Sequence, residues 1–285
     1  MAKVTVIQFP GVNCEYETVR ACEAAGLEAR ILRWNASLQS VKDAAAIVLP
    51  GGFSYQDRIR AGVVAAKDHI VDAVVNAADK GVPVMGICNG AQILVEGGIV
   101  PGFEPGQVEL ALAPNRMPDR TGYFCTWIRL KRGPAKCVFT TFMESGAGES
   151  CAPISIAEAL AADGGTIPMP VAHAEGRFLT ASAGIARRIG NGERVALYYA
   201  TAEGEVARDF PENPNGSMAA VAGVTNEAGN VLALMPHPER ATWFHQIPRS
   251  VGGYWGKQRT ELRAGGLFVS GPGRGFFESL KRALE

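Results

Sequence analysis

The chain has 285 residues, 47% of them hydrophobic, and its 28 Lys plus Arg balance 28 Asp plus Glu, so it can bury a large core but offers no cationic surface for nucleic acid or an anionic membrane. No apolar run approaches the roughly 20 residues that cross a bilayer, and Met1 to Val6 lack a secretory leader's pattern. Cys14, Cys22, Cys88, Cys125, Cys137 and Cys151 form no C-x-x-C pair, so a reduced, cytoplasmic protein with no metal site is expected, acting on a small polar substrate.

Lys3 to Phe9 alternates and is rich in β-formers, predicting a first strand; Pro10-Gly11-Val12-Asn13 turns it into a helix over about Glu15 to Ala25, with Asn13 or Cys14 near the cap. Gly26 closes that helix, and strands follow at Glu28 to Arg33 and Ala44 to Leu49. Strand, helix and strand at this spacing predict a parallel α/β sheet. Pro50-Gly51-Gly52-Phe53-Ser54 follows the third strand, at the carboxyl edge where open α/β sheets bind ligands. Its paired glycines suit either a plain tight turn or exposed N–H groups for an oxyanion, with Gly52 and Asn89 as the two donors.

About Asp57 to Ala78 reads as a helix, with His69 inside it given no role, and Lys80-Gly81 stops it. The next strand ends in Gly86-Ile87-Cys88-Asn89-Gly90, a cysteine version of the nucleophile elbow. The helix expected from Asn89 onward aims its N–H groups and dipole at Cys88, favouring thiolate and a neighbouring oxyanion. A buried core cysteine accounts for the apolar strand but not for glycines at this spacing.

Past Gly97-Gly98, a loop is expected over Pro101 to Thr121, an antiparallel strand over Tyr123 to Leu130, and little pattern over 143–167. Pro168 to Ala172 predicts a short strand leading to the polar cluster His173-Ala174-Glu175-Gly176-Arg177. Arg194 to Ala200 is strand-like, and Ala219 to Thr225 pairs with Val231 to Met235 as a hairpin that delivers Pro236-His237-Pro238-Glu239-Arg240. His237 supplies the base that Cys88 needs, and Glu239, two residues on and so on the same face of a strand, orients the ring. Cys88, His237 and Glu239 then form a triad for acyl transfer on a carbonyl substrate.

With these motifs assembled, the sequence resembles the class I, triad-type glutamine amidotransferases, on Gly86 to Gln92 and Pro236 to Arg240. More narrowly it is similar to the glutaminase subunits of phosphoribosylformylglycinamidine synthase, through Pro10 to Glu15, Pro50 to Tyr55, Val171 to Phe178 and Pro214 to Ser217. The resemblance covers about residue 3 to Arg240 and is weakest over 140–167. It implies a flavodoxin-like three-layer α/β/α fold, mostly parallel with an added antiparallel portion, in one domain over 1–285. It further implies that Cys88 attacks the side-chain amide of L-glutamine, that Gly51, Gly52 and Asn89 serve the oxyanion, and that Gln92 helps hold the substrate. The ammonia would pass to a larger ATP- and Mg-dependent synthetase subunit, with a third small subunit in the complex and no cofactor in this chain. His173, Glu175 and Arg177 become candidates for the synthetase-facing surface. Gln56 and Ala174 stand where the family pattern has glycine, and 243–273 reads as a loop insertion before a final helix at Phe276 to Leu284. The alternatives are a stand-alone cysteine amidase or peptidase, which the 173–178 motif disfavours, and a silent regulatory subunit, which the intact triad disfavours.

Overall fold

The computed structural model describes residues 3–144, 155–261 and 269–285. In chain order the elements are β1 (Lys3–Gln8), α1 (Glu15–Ala24), β2 (Glu28–Arg33), α2 (Gln39–Lys42), β3 (Ala46–Leu49), α3 (His69–Asp79), β4 (Val84–Ile87), α4 (Asn89–Glu96), β5 (Ala111–Ala113), β6 (Phe124–Arg132), α5 (Ile156–Ala162), β7 (Thr166–His173), β8 (Arg177–Leu179), α6 (Ala183–Gly190), β9 (Val195–Ala200), β10 (Val221–Thr225), β11 (Val231–Leu234), α7 (Gly253–Glu261) and α8 (Arg274–Leu284).

Nine strands form one sheet in the order β2-β1-β3-β4-β11-β10-β9-β6-β7. The first five run parallel, and β10, β9, β6 and β7 add on antiparallel. β3 and β4 are apolar and buried at every position, as strands covered on both faces must be. The order steps from β1 out to β2 and then back to β3 and β4, so right-handed crossovers place α1 and α3 on opposite faces. Between β1 and β3 lies the topological switch point, where ligands of such sheets bind. There the loops after β1 and β3 join: Phe53 N–H donates to Gly11 O at 3.0 Å and Cys14 N–H to Gly51 O at 3.2 Å.

Four expectations are corrected. The helix anticipated from Asp57 begins at His69, capped by Asp68, whose carboxylate accepts from Ile70 N–H at 3.2 Å. Upstream the chain makes short turns with positive φ at Tyr55, Gln56, Asp57 and Ile59; buried Ala61, Ala65 and Ala66 mimic helical spacing without a continuous helix. The loop expected over 101–121 contains β5, which pairs with β8 in a separate two-stranded sheet. The stretch 143–167, of which 145–154 lies outside the described residues with Cys151, carries α5, capped by Ser155, and the start of β7.

The fourth correction concerns the tail. Instead of a plain loop, 243–273 holds α7, and the rings of Trp255 and Phe244 are fully buried with centroids 6.3 Å apart. Asp163 clamps the segment by accepting from Tyr254 N–H at 2.7 Å and from the Arg129 guanidinium at 2.8 Å. Gly253, which reads as a loop signal, is required by close approach: at φ +61° a Cβ there would sit 2.6 Å from the Asp163 carboxylate. Residues 262–268 lie outside the described set.

Gln56 has φ 61° and ψ 28°, a left-handed conformation that costs a side-chain-bearing residue about 1–2 kcal/mol, partly offset because glycine loses more entropy on folding. Gln56→Gly is therefore expected to stabilise the protein by about 0.5–1 kcal/mol in urea denaturation; an unchanged or lowered midpoint would contradict a strained loop.

Candidate active site

Cys88 ends β4 with φ 51° and ψ −104°, a strained geometry for a non-glycine residue that recurs at functional sites and costs about 1–3 kcal/mol. The strain is carried by the cysteine itself. Gly86 and Gly90 serve close packing instead: a Cβ on Gly90 would lie 1.9 Å from Leu49 O, and one on Gly86 would lie 2.6 Å from Gly90 O. They let α4 settle onto β3 and β4, with its first turn behind the thiol. Cys88 N–H is spent on Leu234 O at 2.8 Å, which ties the elbow to β11.

β11 pairs with β4 in register Leu234 with Ile87, so the residues just beyond each strand emerge side by side. Cys88 follows β4 directly, and His237 comes three residues after the end of β11. His237 does not continue a strand, as expected, but opens a short 3₁₀ turn over Pro238–Ala241, held by His237 N–H donating to Pro170 O at 2.9 Å. The turn, rather than strand alternation, brings Glu239 Oε1 to 2.6 Å from His237 Nδ1. A carboxylate accepts only, so Nδ1 donates and Nε2 faces the nucleophile.

Both side chains are buried. Burial opposes the charged ring, but the Glu239 carboxylate and Cys88 thiolate, with hydrogen bonding from Cys14 and Cys88, hold His237 well above the ordinary histidine range. The ring is thereby held as an imidazolium beside the Cys88 sulfur. His237 Nε2 and Glu239 Oε2 nonetheless lack a full hydrogen bond among the described residues, and Cys88 Sγ lies 3.7 Å from Ala172 O. Such loose contacts are ordinary before substrate tightens a site.

The expected oxyanion donors lie in the loop after β3 and at the start of α4. Gly52 has φ +148°, its would-be Cβ lies 2.6 Å from Val12 Cα, and none of the backbone bonds joining the two loops uses its N–H. Asn89 opens α4, where N–H groups have no intrahelical partner. Gly51 plays another part: a Cβ there would fall 2.7 Å from His237 Cε1, so its bareness makes room for the ring.

The Asn89 side chain is scaffold. Oδ1 accepts from Ser54 N–H at 3.0 Å, and Nδ2 donates to Gln92 Oε1 at 2.8 Å and Asp57 Oδ1 at 3.3 Å. Gln92 Nε2 donates to Glu175 O at 2.7 Å. The loops 54–57 and 173–177 are thereby pinned to α4, around the nucleophile. Burial, with the neighbouring Glu175 carboxylate, pushes Asp57 up to about 6.

The surface role expected of His173, Glu175 and Arg177 is corrected for His173, which is buried. Asn115 Oδ1 accepts from Gly176 N–H, so His173 Nδ1, 3.1 Å from the same oxygen, is its second donor. A Cβ on Gly176 would lie 2.3 Å from the His173 ring. Glu175, half-buried, has Oε2 accepting from Ala61 N–H at 3.1 Å, and Arg177, also half-buried, donates to Pro114 O at 3.0 Å.

Tyr123, Asn115, Asp57 and Cys14 were not singled out as site residues by sequence reasoning. Tyr123 is half-exposed and stacks toward Phe53 with centroids 6.4 Å apart; burial, then the nearby Cys88 thiolate, raises its phenol. Of the other cysteines, Cys125 is exposed, and Cys14 Sγ accepts from the Arg240 guanidinium at 3.0 Å. Burial does push Cys22 up to about 12 and Cys137 to about 11, as inert core thiols.

Burial, reinforced by His237, lowers His173 to about 3. Between pH 6.5 and 3 the unfolded chain therefore binds one more proton than the folded chain, so stability falls with falling pH in that window, by up to about 1.4 kcal/mol per unit. From pH 7 to 5, His173→Gln should lose up to about 2 kcal/mol less stability in urea denaturation than the parent; equal losses would contradict this.

Comparison with known proteins agrees with this geometry. A family model described as "CobB/CobQ-like glutamine amidotransferase domain" matches residues 1–158 and 155–264. The phosphoribosylformylglycinamidine synthase subunit PurQ of Methanothrix thermoacetophila is 38% identical, covering 99% of this chain and 98% of its own. That of Pyrococcus horikoshii is also 38% identical, over 85% and 90%. Among solved structures, a chain of PurLQS from Thermotoga maritima superposes with a TM-score of 0.65 at 29% identity, covering 100% of this chain and 99% of that one. The chain thus belongs to the glutamine amidotransferase family, among the phosphoribosylformylglycinamidine synthase PurQ subunits.

Proposed function

We propose that this chain is the glutaminase subunit of phosphoribosylformylglycinamidine synthase, which hydrolyses L-glutamine and passes the ammonia to a synthetase. The observation that carries the reading is the meeting of Cys88, His237 and Glu239 at the ends of adjacent parallel strands, with Glu239 on His237 Nδ1 at 2.6 Å.

Cys88 Sγ attacks the side-chain amide carbon of glutamine. The oxyanion that forms is taken by the N–H groups of Gly52 and Asn89, fixed in place before the charge develops. His237 delivers a proton to the leaving nitrogen, so ammonia departs and a γ-glutamyl thioester remains on Cys88. Water, deprotonated by His237, then releases glutamate. Glu239 holds the ring in one orientation and offsets its charge throughout. Gln92 and Asn89 act by fixing the loops that enclose the glutamine.

ATP and Mg belong to the synthetase step, which amidates formylglycinamide ribonucleotide in purine biosynthesis. The Thermotoga maritima neighbour is a structure of PurLQS, which supports a complex with a larger synthetase subunit and a third small one. No described helix is long and apolar enough to cross a membrane, and the proposed setting is the cytoplasm.

In the assembled complex, Cys88→Ala should lower glutamine-dependent synthesis by at least about 10³-fold and leave ammonia-dependent synthesis intact. Loss of both with assembly preserved, or survival of the glutamine-dependent activity, would overturn the assignment.

A further inference from the structure

Behind the catalytic pair sits a third potential ligand that acyl transfer does not use. Cys14 caps α1, and its sulfur, a ring nitrogen of His237 and a carboxylate oxygen of Glu239 all lie within 4.8 Å of one another, all three residues being buried. Gly51 opens the space between them: a Cβ there would lie 3.2 Å from Cys14 Sγ and 3.3 Å from His237 Nδ1. Glu239 Oε2 is buried without a hydrogen-bond partner among the described residues. A buried carboxylate oxygen left unpaired beside a thiol and an imidazole ring is open to a further partner, and a bound ion is one explanation that such a group calls for.

We propose that Cys14, His237 and Glu239 form an inhibitory site for a soft divalent cation of the zinc class. Thiolate, imidazole and carboxylate are the donor types that zinc takes, with a fourth position left for water. Bond lengths of about 2.0–2.3 Å put tetrahedral ligand atoms about 3.3–3.7 Å apart, so side-chain rotation from the present spacing closes the set. Binding removes two protons, one from the Cys14 thiol and one from the His237 imidazolium, and adds two positive charges. The net charge of the site is unchanged, and Arg240, donating to Cys14 Sγ at 3.0 Å, faces the same charge as before while favouring the thiolate. The ring nitrogen facing Cys14 is Nδ1, so the metal replaces the hydrogen bond to Glu239. His237 then cannot cycle its proton, and the nucleophile loses its base.

The test uses the full chain carrying Cys88→Ala, so that the nucleophile cannot be the sulfur ligand, with Co²⁺ as the spectroscopic probe and Zn²⁺ as competitor. One equivalent of Co²⁺ should give a near-ultraviolet thiolate charge-transfer band, displaced by Zn²⁺, with two protons released per metal and tighter binding as pH rises. Adding Cys14→Ser should weaken binding at least tenfold and remove the band, whereas adding Cys125→Ser should change neither. A band that survives Cys14→Ser, or no band at one equivalent with Cys14 intact, overturns the proposal. X-ray absorption of the Zn²⁺ form needs no Cys14 variant: one sulfur and lighter ligands are expected, and a shell without sulfur overturns it. These readouts do not involve glutamine, so they stand or fall separately from the glutaminase reading.

Discussion

The parallel pairing of β11 with β4 is the contact on which the site depends. Register Leu234 with Ile87, closed by Cys88 N–H on Leu234 O, puts Cys88, one residue beyond β4, on the same sheet edge as His237, three residues beyond β11. A two-residue slip would carry the histidine turn about 6.6 Å along the strand, beyond the reach of a proton transfer. The register is enforced from both sides, since β4 and β11 are buried at every position and β11 is the inner arm of the hairpin with β10. Chemistry in this protein therefore rests on core packing, not on a flexible loop.

Around that pair, each neighbouring segment is tied down by a specific bond. The sheet's switch point brings Gly51 and Cys14 to His237, and the antiparallel half contributes β7, whose Pro170 carbonyl receives His237 N–H and whose Ala172 carbonyl faces Cys88 Sγ. Asn89 and Gln92 link α4 to both enclosing loops. The cost is visible as strain: positive φ at Cys88, Tyr55, Gln56 and Asp57, held only because the surrounding hydrogen bonds leave the chain no easier path.

Most of the parallel half could be read from the sequence, because buried strands such as Ala46–Leu49 and Val84–Ile87 are short apolar runs cut off by glycine and proline. The triad was legible for the same reason, since each member sits at the abrupt end of such a run. Three kinds of feature were not. The start of α3 was lost because Ala61, Ala65 and Ala66 are buried at helix-like intervals by separate turns. Helix α7 was lost because its glycines look like loop signals, when Gly253 in fact admits the Asp163 carboxylate. The interior position of His173 and the inward contact of half-buried Glu175 were invisible because polar clusters after strands are usually solvated, and the partners of these two, Asn115 and Ala61, are far off in the sequence. Cys14 beside His237 is likewise a product of folding, with no trace in local spacing.

On the proposed reading, the site is an acyl-transfer centre in which Cys88 alone becomes covalently loaded. Acid-quenching the complex during glutamine turnover and mapping the modified peptide by mass spectrometry tests this most directly. The account predicts a single γ-glutamyl thioester, on Cys88, that disappears in Cys88→Ala. A glutamyl group on Cys14 or Cys125, or turnover with no acyl-enzyme when the quench is faster than hydrolysis, would contradict it.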